Sequence, residues 1–168
     1  KFYRITGGST QNKGVIPDIK LVDIYNEEFG ERKAKNALKW DTIATAPFKR
    51  EGVVQSYVPQ LAKSSQTRVS IDPQFKYLTE RKNIAKQAEE RKTAVLDLDQ
   101  RRAELIELER KTLAAENVRR QATGLAPYSN WESYQASLEA QAESRAKMKA
   151  NQRPPLPEEE VFVSEAAN

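Results

Sequence analysis

The longest helical pattern in the sequence runs from residue 97 to residue 124 and reads DLDQRRAELIELERKTLAAENVRRQATG. Asp97, with Gln100 three residues later, is a capping-box pattern that marks a helix start. Gly124 is typical of a helix end, because glycine adopts the left-handed conformation at little cost. Apolar residues recur between these two points at helical spacing, namely Leu98, Leu105, Ile106, Leu108, Leu113 and Val118. The stretch therefore predicts one long helix, and Glu107 four positions before Lys111 favours an exposed face.

Three further helices are predicted on either side of this stretch. Ser56 can cap a helix, and so can Asp72, which is followed directly by a proline that fits the first helical position. Ser129 and Glu132 form a second capping-box pattern. The patterns together predict a chain that is mainly α-helical.

The first 21 residues have a β pattern instead. The segment from Lys1 to Thr6 is rich in aromatic and β-branched residues, which favours a strand. A Gly-Gly pair at residues 7–8 can adopt positive φ and reverse the chain. Val15 to Ile19 is a short apolar return that contains a proline, which is typical of a sheet edge. We therefore expect a short β hairpin at the N-terminus of a mainly α fold.

The remaining segments are predicted to be less regular. Asp23 is expected to begin a short helix that ends near Gly30, inside a connection that wraps over a neighbouring surface. The prolines of residues 154–157 are expected to end regular structure, and the acidic stretch 158–163 to be flexible or to dock as a strand. The predicted organisation is a hairpin over residues 1–21, a wrapping connector over 22–54, a helical domain over 55–150 and a Pro-rich, acidic tail over 151–168.

The composition excludes several kinds of active site. The 168 residues include no cysteine and no histidine, so the chain cannot hold a cysteine nucleophile, a Ser-His-Asp triad or a Cys/His zinc site. We expect neither a metal nor a cofactor. The 28 basic and 24 acidic residues are interleaved, which argues against nucleic-acid binding. No apolar run reaches the roughly 18 residues that a transmembrane helix needs.

The opening residues carry a resemblance to a known family. They are Lys1-Phe2-Tyr3, Gly7-Gly8-Ser9-Thr10-Gln11, Gly14-Val15 and Pro17-Asp18-Ile19. This pattern resembles the end of the catalytic core of carboxy-terminal processing proteases, in which a strand leads through a Gly-containing turn to a Gln, a Gly and a Pro-Asp pair. Further residues resemble the long, tail-specific subgroup of that family: Gly30-Glu31, Asn36-Ala37-Leu38, Trp40-Asp41, Arg68-Val69, Asp72-Pro73 and Phe75.

The resemblance implies a bacterial serine endopeptidase of the Gram-negative periplasm or cell envelope that acts on proteins with apolar C-termini. It implies a Ser nucleophile and a Lys base in segments before Lys1, together with a PDZ domain for substrate tails. Because no residue of this chain matches those positions, we expect no catalytic residue in it. We expect it to be a C-terminal piece of a longer enzyme, with helices appended to the edge of a protease core that lies outside the chain and with an adaptor protein as a possible partner.

Two groups of residues are candidates for binding. Ser9, Thr10 and Gln11 either border the substrate cleft of the complete enzyme or form a polar turn that bonds its own backbone. Trp131, Tyr134 and Leu138 form an apolar stripe that either packs within the chain or receives a partner.

Arginine pairs also occur on the long helix. Arg101-Arg102 and Arg119-Arg120 have a phosphate-binding interpretation, but the glutamates beside them favour solvated helix faces. Two alternatives to the protease assignment stay open at this point: a freestanding helical interaction module and, less favoured, a helical nucleic-acid binder.

Overall fold

Helices account for most of the chain. A computed structural model describes residues 1–22, 30–49, 52, 54–154 and 156–167. The α-helices are α1 (Val54–Ile71), α2 (Pro73–Glu89), α3 (Leu98–Ala122), α4 (Trp131–Lys147) and α5 (Pro157–Ala166), with short 3-10 helices at Glu31–Lys33 and Ala150–Gln152. The predicted mainly α fold class is confirmed. The helix expected to begin at Asp23 lies outside the described residues.

Local capping explains where the helices begin. Asp72 accepts a hydrogen bond from the backbone N–H of Gln74 at 2.7 Å, and Asp97 accepts one from Gln100 at 2.8 Å, so both predicted caps are confirmed. The other two starts were predicted wrongly, too late for α1 and one residue too early for α4. Helix α1 begins at Val54, before Ser56, and α4 is capped by Asn130, which accepts from the Ser133 N–H at 2.9 Å.

The chain divides into two compact units, an N-terminal unit (Lys1–Gln66) and a helical unit (Thr67–Asn168). In the helical unit α2 packs against α3 and α5, and α3 packs against α4. Its core consists of Phe75, Leu78, Ile84, Tyr134 and Val161. These side chains come from three helices, so their burial holds α2, α4 and α5 together.

The acidic C-terminal segment is helical, so the prediction of a flexible tail or a docked strand was wrong. Helix α5 begins with a proline, which costs no helical hydrogen bond at that position. Glu159 accepts the backbone N–H of Leu156 at 2.8 Å. Val161 is buried, and the ring of Phe162 meets that of Phe75 edge-to-face at 5.9 Å. Tertiary packing of this apolar face stabilises the helix in spite of its charge.

The N-terminal unit contains less β structure than the sequence predicts. Gly7 has a φ of 84°, so the Gly-Gly turn does reverse the chain. The pairing that follows consists of isolated antiparallel bridges, Tyr3 to Ser9 and Gly8 to Thr42. Among the described residues, the segment 15–19 takes part in no bridge, so the predicted return was placed too late. The segment around Thr42 pairs with residues 7–9 instead.

Replacing Gly7 with alanine should destabilise the N-terminal unit by about 2 kcal/mol, from positive-φ strain and steric overlap together. A Cβ atom at Gly7 would lie 2.3 Å from the backbone oxygen of Ile43. The measurement is urea unfolding followed by Trp40 fluorescence in a Trp131→Phe background.

The matched control is Gly14→Ala. Gly14 also has positive φ, at 60°, but a Cβ there meets nothing within 4 Å. It should cost only the strain component, about 1 kcal/mol. Equal effects of the two substitutions would contradict the proposed overlap with Ile43.

Candidate functional site

The predicted Ser9–Gln11 site forms a polar turn. Ser9 and Gln11 are both buried, and the Ser9 Oγ accepts the backbone N–H of Gln11 at 3.0 Å. The indole Nε1 of Trp40 donates to the Ser9 carbonyl at 2.8 Å, and the Gln11 side chain donates to Glu31. The backbone of half-buried Thr10 donates to Phe2 O at 3.0 Å. The side-chain bonds of Ser9 and Gln11 are therefore satisfied locally, and a role at a substrate cleft stays a prediction.

A charged cluster lies beside this turn. Asp41 accepts hydrogen bonds from Lys1 Nζ at 2.8 Å and from Tyr3 Oη at 3.1 Å. The hydrogen bond from Lys1 holds the pKa of the Asp41 carboxyl below its usual value. The same hydrogen bond raises the pKa of Lys1. A lysine that acts as a general base needs the opposite shift, so Lys1 is set up as an ion-pair partner.

The helical unit contains a cavity of about 710 Å³ between its helices. We name it the arginine cavity, because the described residues that line it include five arginines and one glutamate, Glu116. The polar and aromatic part of its wall consists of Arg81, Arg119, Arg120, Arg145, Arg153, Gln74, Gln141, Tyr77, Tyr128 and Tyr134. The apolar part consists of Leu78, Leu125, Leu138, Ala142, Ala146, Leu156 and Val161. Its volume lies within the roughly 300–1,000 Å³ typical of ligand pockets.

The wall of the arginine cavity is fixed by an ion pair inside α3. Glu116 is buried and receives two hydrogen bonds from Arg119, from Nη2 at 2.6 Å and from Nε at 2.9 Å. Arg119 also donates to Gln74 of α2 at 3.2 Å, and its guanidinium lies 5.1 Å from the centre of the Tyr77 ring. Burial raises the pKa of the Tyr77 hydroxyl, which keeps that group protonated as a neutral donor.

Arg120 links the loop that follows α3 to the same wall of the cavity. Arg120 donates to the Ala126 carbonyl at 2.6 Å and to the Tyr128 hydroxyl at 3.2 Å. Its guanidinium also lies 4.1 Å from the centre of the Tyr128 ring. Tyr128 Oη in turn donates to Ser137 of α4 at 2.8 Å. These contacts orient one cation and one phenol toward the cavity.

The predicted stripe of α4 is divided between the core and this cavity. Tyr134 is buried, and half-buried Trp131 packs on it with ring centres 5.3 Å apart. Leu138 is exposed and lines the cavity. Tyr134 and Leu138 therefore meet at one site, and binding of a partner there stays a prediction.

The comparisons with known proteins identify the family. The family described as "C-terminal domain of tail specific protease (DUF3340)" matches residues 24–168. The chain belongs to this family. The tail-specific protease of Haemophilus influenzae is 38% identical over 96 residues, which are 55% of this chain and 14% of that protein. The aligned part thus spans about one seventh of the relative, and the predicted resemblance to tail-specific proteases is confirmed.

The family match includes every residue that lines the arginine cavity. It begins at residue 24, so the Ser9–Gln11 turn lies before it. Sequence reasoning missed the cavity, because it interpreted Arg119-Arg120 as a solvated face. That interpretation was wrong for Arg119, whose partner Glu116 is buried. Glu116, three residues before Arg119, indicates an ion pair, but this spacing alone does not tell whether the pair is exposed or buried.

Within the part of the chain that the structure describes, no group of three or more acidic side chains is arranged to hold a metal ion. No helix there combines the length and the hydropathy needed to cross a bilayer.

Proposed function

We propose that this chain is the C-terminal region of a periplasmic serine endopeptidase that degrades or processes proteins with apolar C-termini. The observation that carries the proposal is the family match over residues 24–168. The relative from Haemophilus influenzae, which is named a tail-specific protease, supports the same assignment. In this proposal a Ser-Lys dyad in another part of the enzyme performs the cleavage.

The chemistry of this chain supports a non-catalytic role. It has no histidine or cysteine to act as base or nucleophile. The Ser9 hydroxyl oxygen accepts from the turn backbone, and Lys1 is held in its charged form by Asp41. A Ser-Lys mechanism requires a lysine whose pKa is lowered by burial, so that it is neutral when the serine loses its proton.

The helical unit is proposed to position substrate or an adaptor protein for the catalytic part. It has a buried core built from three helices and a cavity whose residues are oriented by ion pairs and ring contacts. Rigid helices hold binding groups with higher precision than loops do. A positioning role needs such a preformed surface and no reactive group.

The first test compares the 168-residue chain with the longer protein encoded by its gene. We expect the chain alone to cleave no unstructured substrate with an apolar C-terminus, because nucleophile and base lie elsewhere. The longer protein should degrade that substrate, should be blocked by a serine-directed reagent and should fractionate with the periplasm. Gel electrophoresis of timed digests provides the measurement.

Two results would reject the proposal. Cleavage by the pure chain would place the reactive groups inside it. Failure of the longer protein to cleave any tail variant of the substrate would leave a helical protein-interaction role for this chain as the better assignment.

A further inference from the structure

The arginine cavity has more cationic groups than its own carboxylate neutralises. Arg119 is paired with Glu116, the one acidic residue among the described residues of the wall. Arg145 donates to the carbonyl of Pro154, and Arg153 donates to the carbonyl of Met148 at 3.3 Å. Together with Arg120, three guanidinium groups thus make their hydrogen bonds to neutral oxygens. Each guanidinium has five N–H donors, so these bonds leave donors that a ligand can use.

The wall between these cations is apolar and aromatic. Leu138, Ala142, Leu156 and Val161 line it together with the ring of Tyr128. A ligand that fits must combine anionic groups, which neutralise the guanidiniums, with aliphatic segments, which cover the apolar wall. Glutamate and aspartate side chains within a polypeptide have this combination, because each carboxylate is attached to methylene groups and backbone.

We propose that the arginine cavity binds an acidic segment of an extended polypeptide through the carboxylates of its Glu or Asp side chains. The inference rests on the proposed function to the extent that the substrate of a protease is a polypeptide. Arg145 and Arg153 lie at or near the surface and bind the carboxylates, since arginine matches their planar geometry. Such a site holds an acidic part of the substrate.

Charge distribution favours this ligand over a nucleic acid. Nucleic-acid binders present basic side chains along an open face that follows a phosphate backbone. Here the cations surround one cavity with leucine and valine in its wall, and the chain as a whole interleaves 28 basic with 24 acidic residues. The ligand chemistry that fits is a few carboxylates close together.

Fluorescence anisotropy of labelled peptides with the full 168-residue chain tests the proposal without any need for cleavage. The probe is a flexible peptide with several glutamates and an amidated C-terminus. A second peptide has glutamine at those positions and a free C-terminal carboxylate. The third probe is a single-stranded oligonucleotide of the same charge as the first peptide. We expect the glutamate peptide to bind, with affinity that falls as salt is raised, and the other two to bind at least about tenfold more weakly.

The decisive variant is the Arg145→Gln, Arg153→Gln double substitution. It should weaken binding of the glutamate peptide by about tenfold or more, since each guanidinium loses a charge-assisted hydrogen bond. The matched control is Arg101→Gln with Arg102→Gln, which removes the same charge from an exposed part of α3 outside the cavity and should change the affinity by less than about twofold. If the double variant changes the circular dichroism spectrum, Arg153→Gln alone, at an exposed site, should still weaken binding about threefold.

Several results would overturn the inference. The first three are equal affinity for the glutamate and glutamine peptides, tighter binding of the oligonucleotide than of the glutamate peptide, and tighter binding of the peptide with the free C-terminal carboxylate. The fourth is an equal loss of affinity in the cavity variant and in the control variant.

A degradation assay with the longer protein separates this inference from the proposed function. We expect the Arg145→Gln, Arg153→Gln substitution to lower kcat/KM about tenfold more for a substrate with an internal acidic segment and an apolar tail than for a matched substrate with glutamine in that segment. If both substrates are cleaved equally by the variant and by the unmodified protein, the cavity inference fails while the protease function stands. If neither the unmodified protein nor the variant cleaves any substrate, the proposed protease function fails. The peptide-binding experiment then still decides whether the cavity binds acidic segments.

Discussion

Replacing Leu78 with alanine is expected to lower the free energy of unfolding of the helical unit by about 3 kcal/mol. Leu78 is 1% exposed on α2, in the core that joins this helix to α4 and α5. The loss consists of the transfer free energy of the removed carbons and the cost of the space that they leave. Urea unfolding of the 168-residue chain, followed by far-ultraviolet circular dichroism, measures it, because most helices lie in this unit.

Leu105→Ala is the matched control for this experiment. Leu105 belongs to α3 of the same unit and is 55% exposed, so the same atoms are removed from a surface that water already reaches. The expected change is below about 1 kcal/mol. Comparable losses at the two leucines would show that the core of the helical unit does not lie where the structure has it.

The parts of the fold that could be predicted are those with local causes. Asp72 and Asp97 accept hydrogen bonds from residues two and three positions later, so the capping pattern contains all that the helix start requires. The end of α3 is also decided locally, because Gly124 adopts the left-handed conformation, with a φ of 76°. The family resemblance was also accessible, because it depends on short motifs of neighbouring residues, such as Trp40-Asp41 and Asp72-Pro73.

The β register could not be predicted in the same way. The pattern of Val15 to Ile19 suggested a return strand, but the backbone of Ser9 donates to Asp41 O at 3.1 Å and the backbone of Ile43 donates to Gly7 O at 2.9 Å. Partners more than thirty residues away therefore decide the pairing, and a short apolar run has no information about them.

The arginine cavity was hidden for a related reason. Its walls come from α2, α3, α4, α5 and the segments between them, so its arginines are dispersed over more than seventy positions of the sequence. A pattern of Glu and Arg three apart occurs at Glu107 and at Glu116, and only tertiary packing makes the second pair buried. Periodicity can assign a residue to a helix face, but the neighbours of that face are decided by the fold.

Removing the charge of Glu116 is expected to destabilise the helical unit by about 3 kcal/mol. The Glu116 and Arg119 side chains are 5% and 15% exposed, so Glu116→Gln takes the carboxylate from a guanidinium that water reaches poorly. The Arg119 guanidinium would then stay buried without a carboxylate partner, so its desolvation free energy would no longer be offset by the ion pair. Urea unfolding of the chain measures the change, and the same variant should alter the shape of the arginine cavity, because Arg119 also holds Gln74.

The chain contains a matched control for this pair on the same helix. Glu107 receives two hydrogen bonds from Arg110, both at 2.7 Å and at the same three-residue spacing, but the two side chains are 47% and 67% exposed. Water screens that pair and solvates either group when the other is removed, so Glu107→Gln should leave the free energy of unfolding almost unchanged. The geometry of the two pairs is alike, and burial is the main difference between them. If both glutamine variants lose the same stability, helix propensity rather than desolvation governs the effect, and the ion pair does not stabilise the cavity wall.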